Sequence, residues 1–156
     1  MNRVRGFSLI ELLVVLLIMG ILAATAVPLA RQDSRRAKES ELRAGLRTLR
    51  GAIDDYKRKW DTGHIERKPD ETGYPPDLQV LVDGVVDAAD PKSRRIVFLR
   101  RMPRDPFASP QLPAAQTWAL RSYDSPASEP APGADVYDVQ STAPGAGLDG
   151  IPYRQW

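Results

Sequence analysis

The chain has 156 residues, a net charge of +2, one histidine and no cysteine. This length supports one domain beyond any membrane segment, and the missing cysteines exclude a disulfide framework and any thiolate metal site. The small net charge conceals an asymmetry: residues 31–60 carry ten Lys or Arg against five Asp or Glu, whereas residues 61–156 carry ten against fourteen. A basic stem thus precedes an acidic head. The stem reads as a solvated helix face, or as a surface for lipid head groups or for acidic faces of other chains. A nucleic-acid stripe needs interleaved aromatics, and only Tyr56 and Trp60 stand at the end of this one, so no nucleic acid is expected.

The chain opens with a basic stub, Met1 to Gly6, that carries Arg3 and Arg5. From Leu12 to Ala30 there are 19 residues without a charge. Together with Phe7 to Ile10 this segment is long enough to cross a hydrocarbon core of about 30 Å. It predicts a single transmembrane helix over residues 7–30, and the basic stub places the N-terminus on the cytoplasmic side. Glu11 sits inside the apolar run. A carboxylate in hydrocarbon costs on the order of 3 kcal/mol and calls for a partner. Cleavage between Gly6 and Phe7 would create an α-amino cation one helical turn from Glu11, on the same face. In an assembly the amine of one subunit could equally meet the glutamate of the next.

Gly6-Phe7-Ser8-Leu9-Ile10-Glu11, followed by an apolar helix containing Pro28, resembles the class III leader of type IV pilins and type II secretion pseudopilins. The resemblance implies that a prepilin peptidase cuts after Gly6 and methylates the Phe7 amine, and that Glu11 guides the subunit into a filament. It also implies that the region from Gly20 to Pro28 can lose helical order when subunits pack. Two other readings stand beside it. Ala24-Thr25-Ala26 has the small-x-small form of an ordinary secretory site, which would leave a mature chain beginning at Val27. A plain single-span anchor is the other. Neither gives Glu11 a role.

Beyond Arg31, Leu42, Leu46, Leu49, Ile53, Tyr56 and Trp60 recur at spacings of three and four, which is one apolar stripe on a helix. No breaker intervenes before Asp61-Thr62-Gly63, so one helix is predicted from Ser8 to Trp60, about 80 Å long at 1.5 Å per residue. Its second half packs on a globular head. His64 falls in a loop of Gly, Lys and Pro and reads as solvated. Pro75-Pro76-Asp77 opens a short helix with Leu78, Leu81 and Val82 on one side.

Ile96 to Arg101 is a brief apolar and basic run. Met102-Pro103-Arg104-Asp105-Pro106-Phe107 follows, a turn in which two prolines fix φ on either side of Asp105 and the aromatic plugs the edge of the head. Thr117 to Tyr123 and Asp135 to Gln140 read as strands joined by a segment rich in Pro, Ala and Ser. Ser141 to Trp156 reads as a loop, with Trp156 docked on the head. Tyr74-Pro75 and the Met102–Phe107 turn resemble features of the pseudopilin head. The latter is similar to the Leu-Pro-x-Asp-Pro-Trp turn of the major (G-type) pseudopilin, with Phe107 in place of Trp.

The expected fold is α+β and type IV pilin-like: a leader over residues 1–6, a transmembrane helix over 7–30, and a periplasmic head over 31–156. In that head the long helix packs on a small antiparallel sheet with a C-terminal loop. Asp138, Ser141 and Asp149 offer hard oxygen ligands of the kind calcium takes, and the resemblance implies calcium in this loop. The loop departs from the family pattern, with Asp149 as its one acidic residue and Pro144 added, so a capped, metal-free loop stands as the alternative. Asp54 and Asp55 are adjacent on a helix and diverge, and no catalytic set is read.

The chain is therefore expected to be a non-enzymatic structural subunit of the inner membrane. Its expected partners are identical and related pseudopilins in a helical filament, the prepilin peptidase, the inner-membrane secretion platform and membrane lipid. The alternatives are a type IV pilin of an adhesion, motility or DNA-uptake fibre, and a membrane-anchored binding module that never assembles.

Overall fold

A computed structural model of the chain describes residues 8–156, and within its first helix the side chains of residues 23–32 fall outside the described set. That helix, α1, runs over Leu9–Asp61, 53 residues, without a break at Gly20 or Pro28. The chain divides into two compact units, Met1–Ala37 and Lys38–Trp156. The first is helical wherever it is described beyond Ser8, and the second holds the remainder of α1 and every other element.

Within the second unit the predicted stripe is the core. Leu42, Leu46, Leu49, Ile53 and Tyr56 are buried, and Ala52 joins them. Each such aliphatic side chain contributes about 1.5–3 kcal/mol when fully withdrawn from water. Trp60 is half-buried, with Lys57 and Arg67 against its ring, 4.7 and 4.8 Å from the centroid. The facing side comes from Ile65, Leu78, Leu81, Leu99, Trp118, Val136, Val139 and Tyr153.

Helix α2 covers only Val80–Asp83 and begins later than Pro75-Pro76-Asp77 suggested. Pro75 is fully buried, and its carbonyl accepts the Val136 N–H at 2.8 Å, so its backbone is tied to the far end of the head. Asp77 instead caps the turn by accepting the Val80 N–H at 2.9 Å. After α2, Gly84 has φ +72°, and a Cβ there would lie 2.5 Å from the Ile96 carbonyl oxygen. Only glycine serves at such a left-handed close approach. It leads into a hairpin that the sequence did not signal, β1 (Val85–Val86) against β2 (Arg95–Ile96), antiparallel.

The second sheet pairs β3 (Trp118–Arg121) with β4 (Asp138–Ser141), antiparallel, with Trp118 opposite Ser141 and Arg121 opposite Asp138. Both strands lie within the predicted regions or within one residue of them. They are shorter because the flanking backbone bonds elsewhere. Thr117 closes a 3₁₀ turn over Ala114–Thr117, and the Ser122 N–H goes to Ala131. The head therefore carries two separate two-stranded sheets. In the tail, a bridge between Ala146 and Pro152 precedes a 3₁₀ turn at Tyr153–Gln155.

Candidate functional site

Gly6 and Phe7, the predicted cleavage and methylation pair, lie outside the described residues. Glu11 stands in the first turn of α1, where its negative charge complements the helix dipole, and the Ser8 carbonyl accepts the Glu11 N–H at 3.1 Å. Around it the described apolar side chains are open to solvent: Leu9 is 76% exposed, Ile10 68% and Leu16 64%, and the pattern continues on every face to Leu22. Among the described residues no helix is long and apolar enough to cross a membrane. The predicted span over 7–30 extends at both ends beyond the described side chains.

The Met102–Phe107 turn is built around Asp105, which is fully buried. Its Oδ2 accepts the Ser141 hydroxyl at 2.5 Å, its Oδ1 accepts the Phe107 N–H at 2.8 Å, and its own N–H goes to Thr117 Oγ1 at 3.1 Å. The carboxylate thus joins the turn to β4, and the backbone N–H of the same residue joins it to the 3₁₀ turn that precedes β3. The Trp118 indole donates to the Pro103 carbonyl at 3.0 Å, closing the same turn from the sheet side. Phe107 stacks on Tyr153 at 4.6 Å, which agrees with the predicted plug at the edge of the head.

The tail is gripped from α1. Buried Glu39 accepts the Leu148 N–H at 3.0 Å and the Tyr153 hydroxyl at 2.9 Å. Arg43 bonds Asp149 at 2.7 Å and covers the Trp156 ring at 4.0 Å. Arg50 bonds Asp138 at 2.7 Å and also donates to the carbonyls of Val139 and Trp156, at 3.1 and 2.6 Å. Trp156 is docked as predicted. Some of the basic stem is therefore neutralised by acidic residues of its own head.

His64 corrects its prediction. Its Nδ1 lies 2.9 Å from Asp87 Oδ1 and its carbonyl accepts the Ala88 N–H, so the ring closes a loop instead of standing free in solvent. The hydrogen bond to His64 holds the Asp87 carboxyl below its ordinary pKa, and the Arg94 guanidinium does the same for Asp90. Burial raises the Tyr56 and Tyr74 phenols above theirs.

Residues 1–27 match the prokaryotic N-terminal methylation motif. The chain is 34% identical over 115 residues to the type II secretion system core protein G of Klebsiella pneumoniae, covering 70% of this chain and 73% of that protein. The chain belongs to the type II secretion system core protein G family. The protein of that name from Aeromonas hydrophila is 31% identical over 113 residues, covering 70% of this chain and 71% of its own. The type IV major pilin protein PilA of Myxococcus xanthus is 49% identical over 47 residues, only 30% of this chain and 21% of that pilin. No solved structure matches.

In this chain Asp138, Ser141 and Asp149 are each engaged by another side chain of the head. Asp138 and Asp149 each hold a guanidinium at 2.7 Å, and the Ser141 hydroxyl is spent on Asp105. Among the described residues no group of three or more His, Cys, Asp or Glu is placed to hold a metal ion. Sequence reasoning missed Glu39, Arg43, Arg50 and the carboxylate of Asp105. A signal for the first three was present: Glu39, Arg43, Leu46 and Arg50 follow one another at spacings of four, three and four, the period of the apolar stripe. The turn around Asp105 was legible, but the burial of its carboxylate was not, because its partner Ser141 lies 36 residues on.

Proposed function

We propose that the chain is cut after Gly6, methylated on the Phe7 amine and held as a single inner-membrane span with its head in the periplasm. From there it polymerises helix to helix, with identical and related pseudopilins, into the type II secretion pseudopilus on the inner-membrane platform. It acts as a structural subunit and not as an enzyme. The observation that carries this reading is the lone carboxylate of Glu11 on an otherwise uncharged and solvent-exposed apolar helix surface. Lipid satisfies such a surface before assembly and neighbouring helices satisfy it afterwards. A carboxylate at that depth costs on the order of 3 kcal/mol unless a cation meets it, and the new amine of a neighbouring Phe7 supplies one. The rival reading as an adhesion or motility pilin rests on a match to less than a third of the chain.

The test is the Glu11→Leu variant. Its amount in the membrane fraction is expected to equal that of the wild-type chain, with filaments lost in electron micrographs of overproducing cells and export of the secreted proteins lost with them. Normal filaments from this variant would refute the proposed role of Glu11.

A further inference from the structure

The head binds its tail through three side chains that share one face of α1. Glu39, Arg43 and Arg50 are separated by four and seven residues, so they point the same way from the helix, over about 16 Å of rise. Between them they hold four points of residues 138–156: the Leu148 N–H and Tyr153 hydroxyl on Glu39, Asp149 on Arg43, and Asp138 on Arg50. The Trp156 ring lies under the Arg43 guanidinium, and the Trp156 carbonyl accepts from Arg50. The tail adds its own closure, with the Asp149 Oδ1 accepting the Ile151 N–H at 3.0 Å and the Gly147 N–H reaching the Ile151 carbonyl at 2.7 Å. Gly147 lies so close to the Trp156 ring that a Cβ would collide with it.

A calcium ion in this loop would need about six to eight oxygens at about 2.3–2.6 Å, drawn from carboxylates, carbonyls and water, with carboxylates supplying the negative charge. Asp138 and Asp149 each already face a guanidinium at 2.7 Å, so a divalent ion placed on either carboxylate would stand beside an arginine cation. Arginine suits this substitution because its planar fork serves a carboxylate, a carbonyl and an aromatic face together. We infer that in this chain the arginine clasp of Arg43 and Arg50, with Glu39 beside it, does without a metal what a bound cation would do: it closes the C-terminal loop onto α1. The consequence is a head whose order is independent of calcium. This is a property of the single subunit, so it stands or falls separately from filament assembly.

The test uses the full-length chain in detergent, followed by thermal unfolding in millimolar calcium and in EGTA. The wild-type midpoint is expected to be the same in both. Arg43→Ala and Arg50→Ala are each expected to lower it by about 4 °C or more, equally with and without calcium. Exchanging the charges in Arg43→Asp with Asp149→Arg is expected to recover some of the loss. A wild-type midpoint raised by calcium overturns the inference, whatever the variants do. So do arginine variants that unfold at the wild-type temperature. Should an arginine variant not fold at all, the wild-type comparison and Arg43→Lys, which keeps charge but loses the fork, still decide the matter.

Discussion

Asp105 shows how much one side chain can organise. It is buried among neutral donors, the Ser141 hydroxyl and the Phe107 N–H, and through them joins a proline-bounded turn to a strand 36 residues away. Replacing Asp105 with Ala leaves both donors without their acceptor in the interior, at about 1–3 kcal/mol for each. Denaturant unfolding of Asp105→Ala should show that loss of head stability, with Asp105→Asn milder because its amide oxygen still accepts one bond. An Asp105→Ala chain as stable as the wild type would contradict this role for the carboxylate. Glu39 plays a comparable role for the tail, holding Leu148 and Tyr153.

Among the elements, the loop from His64 to Arg94 has a defined acid sensitivity. Asp87 and Asp90 are both held below the ordinary carboxylate value of 3.8, by His64 and Arg94 respectively. A carboxyl depressed in the folded state stabilises it above the unfolded value, and that contribution disappears as pH falls through the folded value. Hydrogen exchange at Ala89 and Lys92, whose N–H groups bond these carboxylates, should therefore accelerate relative to the core as pH is lowered below about 4. Unchanged relative protection would show that the two carboxylates do not hold the loop.

Legibility in the sequence also varies from element to element. The α1 stripe was legible because six apolar positions, Leu42 to Trp60, repeat one period over many turns, and period is the signal that burial on a helix leaves. β3 and β4 were legible in place but not in length, since their ends are set by the Ala131 and Pro75 carbonyls, which lie far from them in the chain or across it. The hairpin of Val85–Val86 and Arg95–Ile96 is too short for alternation to register. The clasp escaped because charged residues beside an apolar stripe read as solvated until the acidic tail that meets them is in place.

For the whole molecule, the two ends of α1 answer different needs. The N-terminal stretch exposes an uncharged apolar surface broken by Glu11, and the C-terminal stretch is the core of a head closed by its own tail. The basic stem and acidic head read from composition partly neutralise each other within the subunit. The methylation motif over residues 1–27 and the kinship with core protein G give that exposed helix its place in secretion. The proposed processing between Gly6 and Phe7 is the step on which the proposed assembly depends, because it would create the cation that Glu11 is proposed to meet. Mass spectrometry of the mature chain from its native host tests it most directly. The expected mass is that of a chain beginning at Phe7 with one methyl group on its α-amine; a mature chain that begins at Val27, or one that retains residues 1–6, would contradict it.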